Sequence, residues 1–207
     1  MKLKKIASLM LAGVMAISML TACGDNGSSS SEGTVVTPVD NSFAAAVNAE
    51  LTDKQKELIT FGSSDELASA LDKIVSSTEF TRVDNAGWVT GGVVTAFREL
   101  LDADGGWNVN TFTQPNGDEV TSADMILVPG ALTDKGLAEY IADGIGRYID
   151  TGYLPVSKTN AAYPATKEWR SDYTADIAVT EITNVNDQYS FYVVAFTITQ
   201  TNTEVNK

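Results

Sequence analysis

The sequence predicts an α+β fold, in which several N-terminal helices pack on a mainly antiparallel sheet that ends in a C-terminal β-hairpin. Three observations predict it. Capping residues followed by apolar positions three and four residues apart indicate helices between residues 41 and 101. Alternating apolar residues indicate strands in residues 107–128 and again in residues 175–201. Helices followed by strands, rather than a strict alternation of the two, are typical of the α+β class.

The predicted helices begin at capping residues. Ser42 can cap an Ala-rich run, and Thr52 restarts a helix that continues toward Phe61. Ser64, followed by two acidic residues, caps a third helix. Gly91-Gly92 leads into a fourth. The apolar positions that predict the core-facing sides of these last two helices are Leu67, Leu71, Ile74, Val75, Val93, Phe97, Leu100 and Leu101.

The clearest helical pattern begins at Thr133-Asp134, a capping residue followed by an acid. Its apolar face is predicted to consist of Leu137, Tyr140, Ile141, Ile145, Tyr148 and Ile149. Gly144 and Gly146 lie inside this helix, where each costs about 1 kcal/mol relative to Ala. The close approach of another segment would explain such glycines.

The strand signals lie in the second half of the chain. Pro115-Asn116-Gly117 is a turn signal, and the apolar run Met125–Val128 predicts the strand that follows it. Residues 175–183 and 188–201 predict the two strands of the C-terminal hairpin. The middle of the second strand, Tyr192–Phe196, is apolar at every position, which predicts a central strand covered on both faces. We expect a sheet of about three to five strands.

Composition excludes several classes of function. The chain has 207 residues, 14 basic and 27 acidic side chains, a net charge of −13, no His and one Cys. Without His there is no Ser-His-Asp or Cys-His catalysis and no His-ligated zinc. A single Cys allows neither an internal disulfide nor a cysteine zinc site. The acidic balance disfavours nucleic acid, whose phosphates are neutralised by Lys and Arg.

The N-terminus has the pattern of a secretory signal peptide. A basic start at residues 1–5 is followed by the uncharged segment 6–19, which is too short to span a membrane. It ends in Leu20-Thr21-Ala22-Cys23, which resembles the lipobox of bacterial lipoproteins. An ordinary signal peptide or a small N-terminal anchor with a chance Cys is the alternative interpretation.

The lipobox resemblance implies that Cys23 receives a diacylglycerol and that a signal peptidase cleaves between Ala22 and Cys23. The protein would then be anchored on the extracytoplasmic side of a bacterial envelope: on the cell membrane of a Gram-positive bacterium, or, because Gly24 follows the Cys, on the outer membrane of a Gram-negative one. The resemblance covers residues 1–23 and implies nothing about the domain beyond them.

Three regions are predicted. Residues 1–22 form the signal peptide, and residues 23–40 comprise the lipidated Cys23 and a flexible tether rich in Gly and Ser. Residues 41–207 are patterned throughout and long enough for a single α+β extracytoplasmic domain.

Asp102 and Asp104 are the only suggestion of a metal site. Their spacing resembles the start of an EF-hand loop, but the fifth, sixth and twelfth positions are Gly106, Trp107 and Thr113, which do not fit that motif. A turn that ends a helix is the preferred interpretation, and a looser calcium site is the alternative. We predict no bound metal and no cofactor.

The candidate ligand-binding residues lie in an aromatic segment near the C-terminus. It contains Tyr153, Tyr163, Trp169 and Tyr173, with two prolines and three basic residues. Flat aromatic faces beside polar groups can stack on sugars or hold a peptide, and long loops are often functional. The alternative is a loop whose aromatic residues merely anchor it to the domain.

These observations favour a non-catalytic binding or accessory module that is attached to the membrane through lipid on Cys23. Its ligand would be a glycan, a peptide or an envelope protein, and nucleic acid is not expected. Two alternatives stay open: a small envelope hydrolase that uses carboxylates, and a structural or assembly lipoprotein with only protein partners.

Overall fold

The computed structural model describes residues 34–36, 40, 42–77, 91–106, 112, 119–150, 152, 154, 157–159, 167–184 and 189–206. The predicted signal peptide, the lipidation site at Cys23 and the turn at residues 115–117 lie outside this part of the chain. The elements in chain order are β1 (Thr34–Val36), α1 (Ala44–Glu50), α2 (Asp53–Lys56), β2 (Phe61–Gly62), α3 (Asp65–Val75), α4 (Gly91–Leu100), β3 (Val120–Pro129), α5 (Asp134–Asp150), β4 (Ser157–Thr159), β5 (Lys167–Asn184) and β6 (Tyr189–Asn206).

The described strands form one sheet in the order β1-β5-β6-β3, with β2 and β4 also paired to β5. All pairs are antiparallel except β2 with β5. The predicted α+β class, the mainly antiparallel sheet and the C-terminal hairpin are confirmed. The sheet has six strands where about three to five are predicted. Three of the six, β1, β2 and β4, are pairings of only two or three residues, which are too short to give an alternating pattern in the sequence.

The hairpin β5–β6 forms the centre of the sheet. Its register runs from Asn184↔Tyr189 beside the turn to Lys167↔Asn206 at the open end. The first strand is therefore longer than the predicted segment 175–183. Short segments pair along the other side of β5: β4, β2, the bridge Asp40↔Val179, and β1. This leaves β3 as the outer strand on the opposite side.

The two faces of the sheet have separate apolar cores. Val194, Phe196 and Ile198 of β6 pack in a cluster with residues of α1 and α5. Val193 and Ala195, which point to the other face, pack in a second cluster with residues of α3 and α4. The prediction that β6 is covered on both faces is confirmed.

Side-chain caps start α2, α3 and α5 where the sequence predicts them. The predicted cap at Ser42 is wrong, because the N-cap of α1 is Phe43 and no side chain caps this helix. Ser64 Oγ accepts a hydrogen bond from the N–H of Leu67 at 3.2 Å, and Thr133 Oγ1 accepts one from the N–H of Gly136 at 3.2 Å. Thr52 forms a capping box, in which its side chain accepts from the N–H of Gln55. These bonds satisfy donors that the helical backbone leaves unpaired.

The prediction that the helix after Thr52 continues toward Phe61 is wrong. The helix ends at Lys56, and Phe61-Gly62 instead pairs with β5. Asn48 of α1 holds this strand: its Nδ2 donates to the Phe61 carbonyl at 2.7 Å, and its Oδ1 accepts from the Phe61 N–H at 2.8 Å. Both interactions are long-range, so no local pattern around Phe61 indicates them.

The two glycines inside α5 differ in their surroundings. A Cβ on Gly146 would collide with the side-chain amide of Gln55, so this glycine makes room for the Gln55 side chain against α5. A Cβ on Gly144 would have no atom within 4 Å. A close approach is therefore found at Gly146, and it is made by a side chain and not by a backbone.

Candidate functional site

The structure describes two of the four predicted ligand-binding residues, Trp169 and Tyr173. Tyr153 and Tyr163 lie outside the described residues, and so do the predicted lipobox residues Leu20, Thr21, Ala22 and Cys23. The backbone of Trp169 lies in β5, where it pairs with Lys158 of β4 and Glu204 of β6. Tyr173 is the one candidate whose side chain is described. A ligand-binding role for these residues stays a prediction.

Tyr173 is buried in the first core, with 7% of its surface exposed. Its ring meets Phe112 edge-on at a centroid distance of 5.8 Å. Its hydroxyl accepts a hydrogen bond from Gln200 Nε2 at 2.9 Å, and Gln200 Nε2 also donates to Ser171 Oγ at 3.1 Å. Burial raises the pKa of Tyr173 to about 12, and the hydrogen bonds with Gln200 and Ser171 offset this only in part.

We expect Tyr173→Phe to change how stability depends on alkaline pH. Because the folded-state pKa of Tyr173 is about 12 and that of an unfolded Tyr is about 10, the neutral phenol contributes stability that is complete below about pH 10 and is lost as the pH rises toward 12. We expect about 2 kcal/mol of this alkaline loss to be absent in Tyr173→Phe, measured by urea unfolding at a series of pH values. Tyr140→Phe, which alters a ring that is 52% exposed, is the control.

Asp102 and Asp104 belong to the turn that ends α4 and contacts the start of β3. Asp102 has a positive φ of 48°, and the N–H of Ala103 donates to the Arg98 carbonyl at 3.0 Å, as in a helix-ending Schellman motif. Asp104 bonds to Thr121 twice: its N–H donates to the Thr121 carbonyl, and its Oδ2 accepts from the Thr121 N–H, both at 2.8 Å. Within the described part of the chain, no cluster of three or more acidic or Cys side chains could hold a metal ion.

A groove of about 470 Å³ lies between β3 and α5 at the outer edge of the sheet. We call it the edge groove. Its lining residues are Val94, Asp124, Met125, Ile126, Tyr140, Ile141, Gly144, Ile145, Arg147, Tyr148 and Phe196. The lining is mostly apolar and carries a few polar groups, which is typical of a ligand site, and the volume is in the usual range.

The edge groove exists because α5 extends past the last strand. Its residues Ile141 and Ile145 are buried against the sheet, but Tyr140 is 52% exposed. The prediction that Tyr140 belongs to the buried face of the helix is wrong, because β3 has no further described strand beside it to cover this part of α5. Tyr148 is half-buried, and Ile126 of β3 is 36% exposed.

Gly144 forms part of the groove wall. Since no atom lies within 4 Å of the position that its Cβ would occupy, the absence of a side chain there contributes to the space. The sequence contains two signals for this site: a glycine in a helix at a position that packing does not require, and the run Met125–Val128, which is apolar at every position. Neither signal says that β3 and α5 meet at a sheet edge, which depends on the strand order.

The charged groups of the edge groove are Asp124 and Arg147. Asp124 Oδ2 is paired with Arg98 Nη2 at 3.0 Å, and its Oδ1 accepts from the N–H of Met125 at 2.9 Å. Arg147 is exposed. The groove wall therefore contains one carboxylate and one basic residue, and the basic residue is solvent-exposed.

Comparison with protein-family models, with curated proteins and with solved structures found no match to the chain. None of the helices in its described part combines the length and the apolar composition that crossing a membrane requires.

Proposed function

We propose that the protein is a non-catalytic binding module, held on the extracytoplasmic side of a bacterial membrane by lipid on Cys23, and that its edge groove binds a polypeptide. The observation that carries the proposal is the groove itself. It has a volume of about 470 Å³ and a mostly apolar lining that includes the exposed side chains of Ile126 and Tyr140. Exposed apolar side chains that gather in a concave surface mark interaction sites.

The chemistry of the groove favours binding over catalysis. Hydrolysis by paired carboxylates needs two acidic groups about 5 to 10 Å apart. Asp124 is the single carboxylate of the described lining, and Arg98 and the Met125 N–H already engage both of its oxygens. The chain has no His to act as a base.

The position of the groove favours a polypeptide over a glycan. Its floor includes the edge strand β3, whose backbone offers hydrogen-bonding groups to another chain. Its walls supply aliphatic contacts from Val94, Ile126 and Ile145 in addition to two Tyr side chains. A sugar-binding platform depends chiefly on aromatic faces and polar groups.

We expect Gly144→Phe to abolish peptide binding by filling the edge groove. The position has room for a side chain, and Phe is a better helix former than Gly, so the variant is expected to fold. The full chain, purified in detergent, would be tested against a pool of short synthetic peptides in which Val, Ile, Phe or Tyr alternates with Lys. We expect dissociation constants on the order of 10 µM, and a loss of about tenfold or more in Gly144→Phe.

Gly144→Ala is the matched control. It fills almost none of the groove and is expected to bind peptide like the unaltered chain while gaining up to about 1 kcal/mol of stability. No binding of any pool peptide, binding that Gly144→Phe leaves intact, or binding of muropeptides or oligosaccharides in place of peptides would each contradict the proposal.

A further inference from the structure

The backbone of β3 alternates between two directions. Even-numbered residues such as Ser122 direct their N–H and C=O groups toward β6, and odd-numbered residues direct theirs to the outside. Thr121 and Ala123 show this, because the N–H of Asp104 donates to the Thr121 carbonyl at 2.8 Å and the N–H of Ala123 donates to the Gly105 carbonyl at 3.0 Å. The continuous register with β6 carries the same alternation through Pro129.

The first half of this outer edge is covered. The turn at Asp104-Gly105 pairs with it, as the parallel bridge between Gly105 and Ser122 also records. Arg98 reaches it from α4, where its Nε donates to the Ala123 carbonyl at 2.9 Å. A Cβ on Gly106 would collide with the Arg98 guanidinium, so the turn is shaped to let Arg98 lie there.

The second half, Met125–Leu127, is different, and we call it the open half of β3. The N–H of Met125 is occupied by Asp124 Oδ1. Among the residues that the structure describes, none forms a hydrogen bond with the outward C=O of Met125 or with the outward N–H and C=O of Leu127. Sheet edges are usually protected by charges, prolines or covering segments. Here Asp124 and Pro129 flank the open half, but residues 125–128 themselves read Met-Ile-Leu-Val.

The open half of β3 and the edge groove are continuous, since Met125 and Ile126 line the groove. A strand that paired with the open half would lie about 4.8 Å from β3. It would run beside the overhanging part of α5, where Tyr140, Gly144 and Tyr148 form the wall. Every second side chain of that strand would point into the groove.

We propose that the ligand is an extended polypeptide segment, apolar at alternate positions and carrying Lys or Arg at the others, which adds to the sheet as a strand on the open half of β3. This inference rests on the proposed function, because it specifies how the edge groove holds its ligand. Main-chain hydrogen bonds to Met125 and Leu127 supply part of the affinity, and the side chains that enter the groove supply specificity.

The negative net charge of the chain favours a positively charged peptide as the ligand of the edge groove. The chain carries a net charge of −13. On α5 beside the groove, Asp143 is exposed and Glu139 pairs with Lys135 at 3.0 Å. Arg147 adds a positive charge there, so the attraction comes from the net charge of the whole chain. Such a surface attracts a cationic segment and speeds its association. A second copy of the same chain would bring the same negative charge to the interface, which disfavours edge-to-edge pairing of two copies.

The test removes the outward N–H of Leu127 without removing the fold. Pro is tolerated on edge strands where its nitrogen faces outward, so we expect Leu127→Pro to fold and to bind the alternating Lys peptides at least about tenfold more weakly. Leu127→Ala is the matched control, because it loses the same side chain but keeps the N–H. Circular dichroism verifies that both variants are folded.

A second measurement methylates the peptide instead. N-methylation of single residues along one bound peptide is expected to weaken binding at every second position, where the peptide N–H faces β3, and to have little effect at the positions between. A flat N-methylation profile, together with binding that Gly144→Phe abolishes, would overturn strand addition but not the groove site. Binding that Gly144→Phe does not affect would overturn both.

Two further outcomes would contradict the proposal that the ligand is a cationic peptide. Equal binding of peptides in which Glu replaces Lys would contradict the choice of a cationic segment. A dimer of the full chain by light scattering that is lost in Leu127→Pro would assign the open half of β3 to a second copy.

Discussion

Phe97→Ala is expected to lower the free energy of unfolding by about 3 to 5 kcal/mol, measured by urea unfolding. Phe97 has no exposed surface and packs in the second core, between α4 and the face of the sheet that carries Val193 and Ala195. Removing its ring leaves a cavity among atoms that can move only in part to fill it. Since domains of this size are stabilised by about 5 to 15 kcal/mol, the loss is a large fraction of the total.

The control for this prediction is Leu100→Ala, one turn further along the same helix. Leu100 is 42% exposed, so the prediction that it faces the core is wrong, and its truncation is expected to cost less than about 1 kcal/mol. Leu100→Ala removes a smaller side chain, but truncation of a buried Leu would still cost about 2 to 5 kcal/mol, so the comparison chiefly reports burial. Equal destabilisation by both would contradict the described packing of α4 on the sheet.

Gly130→Ala is expected to lower the free energy of unfolding by about 2 to 3 kcal/mol. The N–H of Gly130 donates to the Ser190 carbonyl at 2.9 Å, beyond the last residue of β3. A Cβ at this position would lie 2.6 Å from the backbone carbonyl carbon of Ser190 and 2.7 Å from its oxygen. Because these are backbone atoms, the strands themselves must separate locally to admit the methyl group.

Gly92→Ala makes the same chemical change with the opposite expected sign. A Cβ on Gly92 would have no atom within 4 Å, and the residue lies in α4, where Ala is favoured over Gly by up to about 1 kcal/mol. Thermal unfolding of both variants would compare them, with a shift of about 2 to 4 °C for each kcal/mol. A stabilising Gly130→Ala would show that the close approach of Ser190 is not present.

Much of the fold could be predicted because its signals are local. Ser64 and Thr133 are good capping residues, and the helices begin beside them. The apolar run in β6 correctly predicts a strand covered on both faces. The sequence does not predict the start of β5, because its buried residues include Ser171, which a periodicity argument places in solvent. In the structure Ser171 Oγ donates to Asn202 Oδ1 at 2.7 Å, so its polarity is satisfied inside the protein.

The candidate site could not be predicted from the sequence because it is made by two elements whose proximity is not local. The sequence pattern predicts a strand at Ile126 and a helix at Tyr140, and both predictions are confirmed. Spacing identifies the side of α5 that is apolar, but it does not say where the sheet beneath it stops. That boundary lies at β3 and leaves Tyr140 exposed.

The strand order also places the predicted lipid attachment and the proposed ligand site at opposite edges of the sheet. The chain that leads from Cys23 enters the sheet at β1, and the edge groove lies at β3, three strand spacings or about 14 Å away on the opposite edge. A lipid on Cys23 and a ligand on β3 would therefore hold the domain from opposite sides. The protein could stay fixed in the membrane while its far side engages a partner, and neither attachment would obstruct the other.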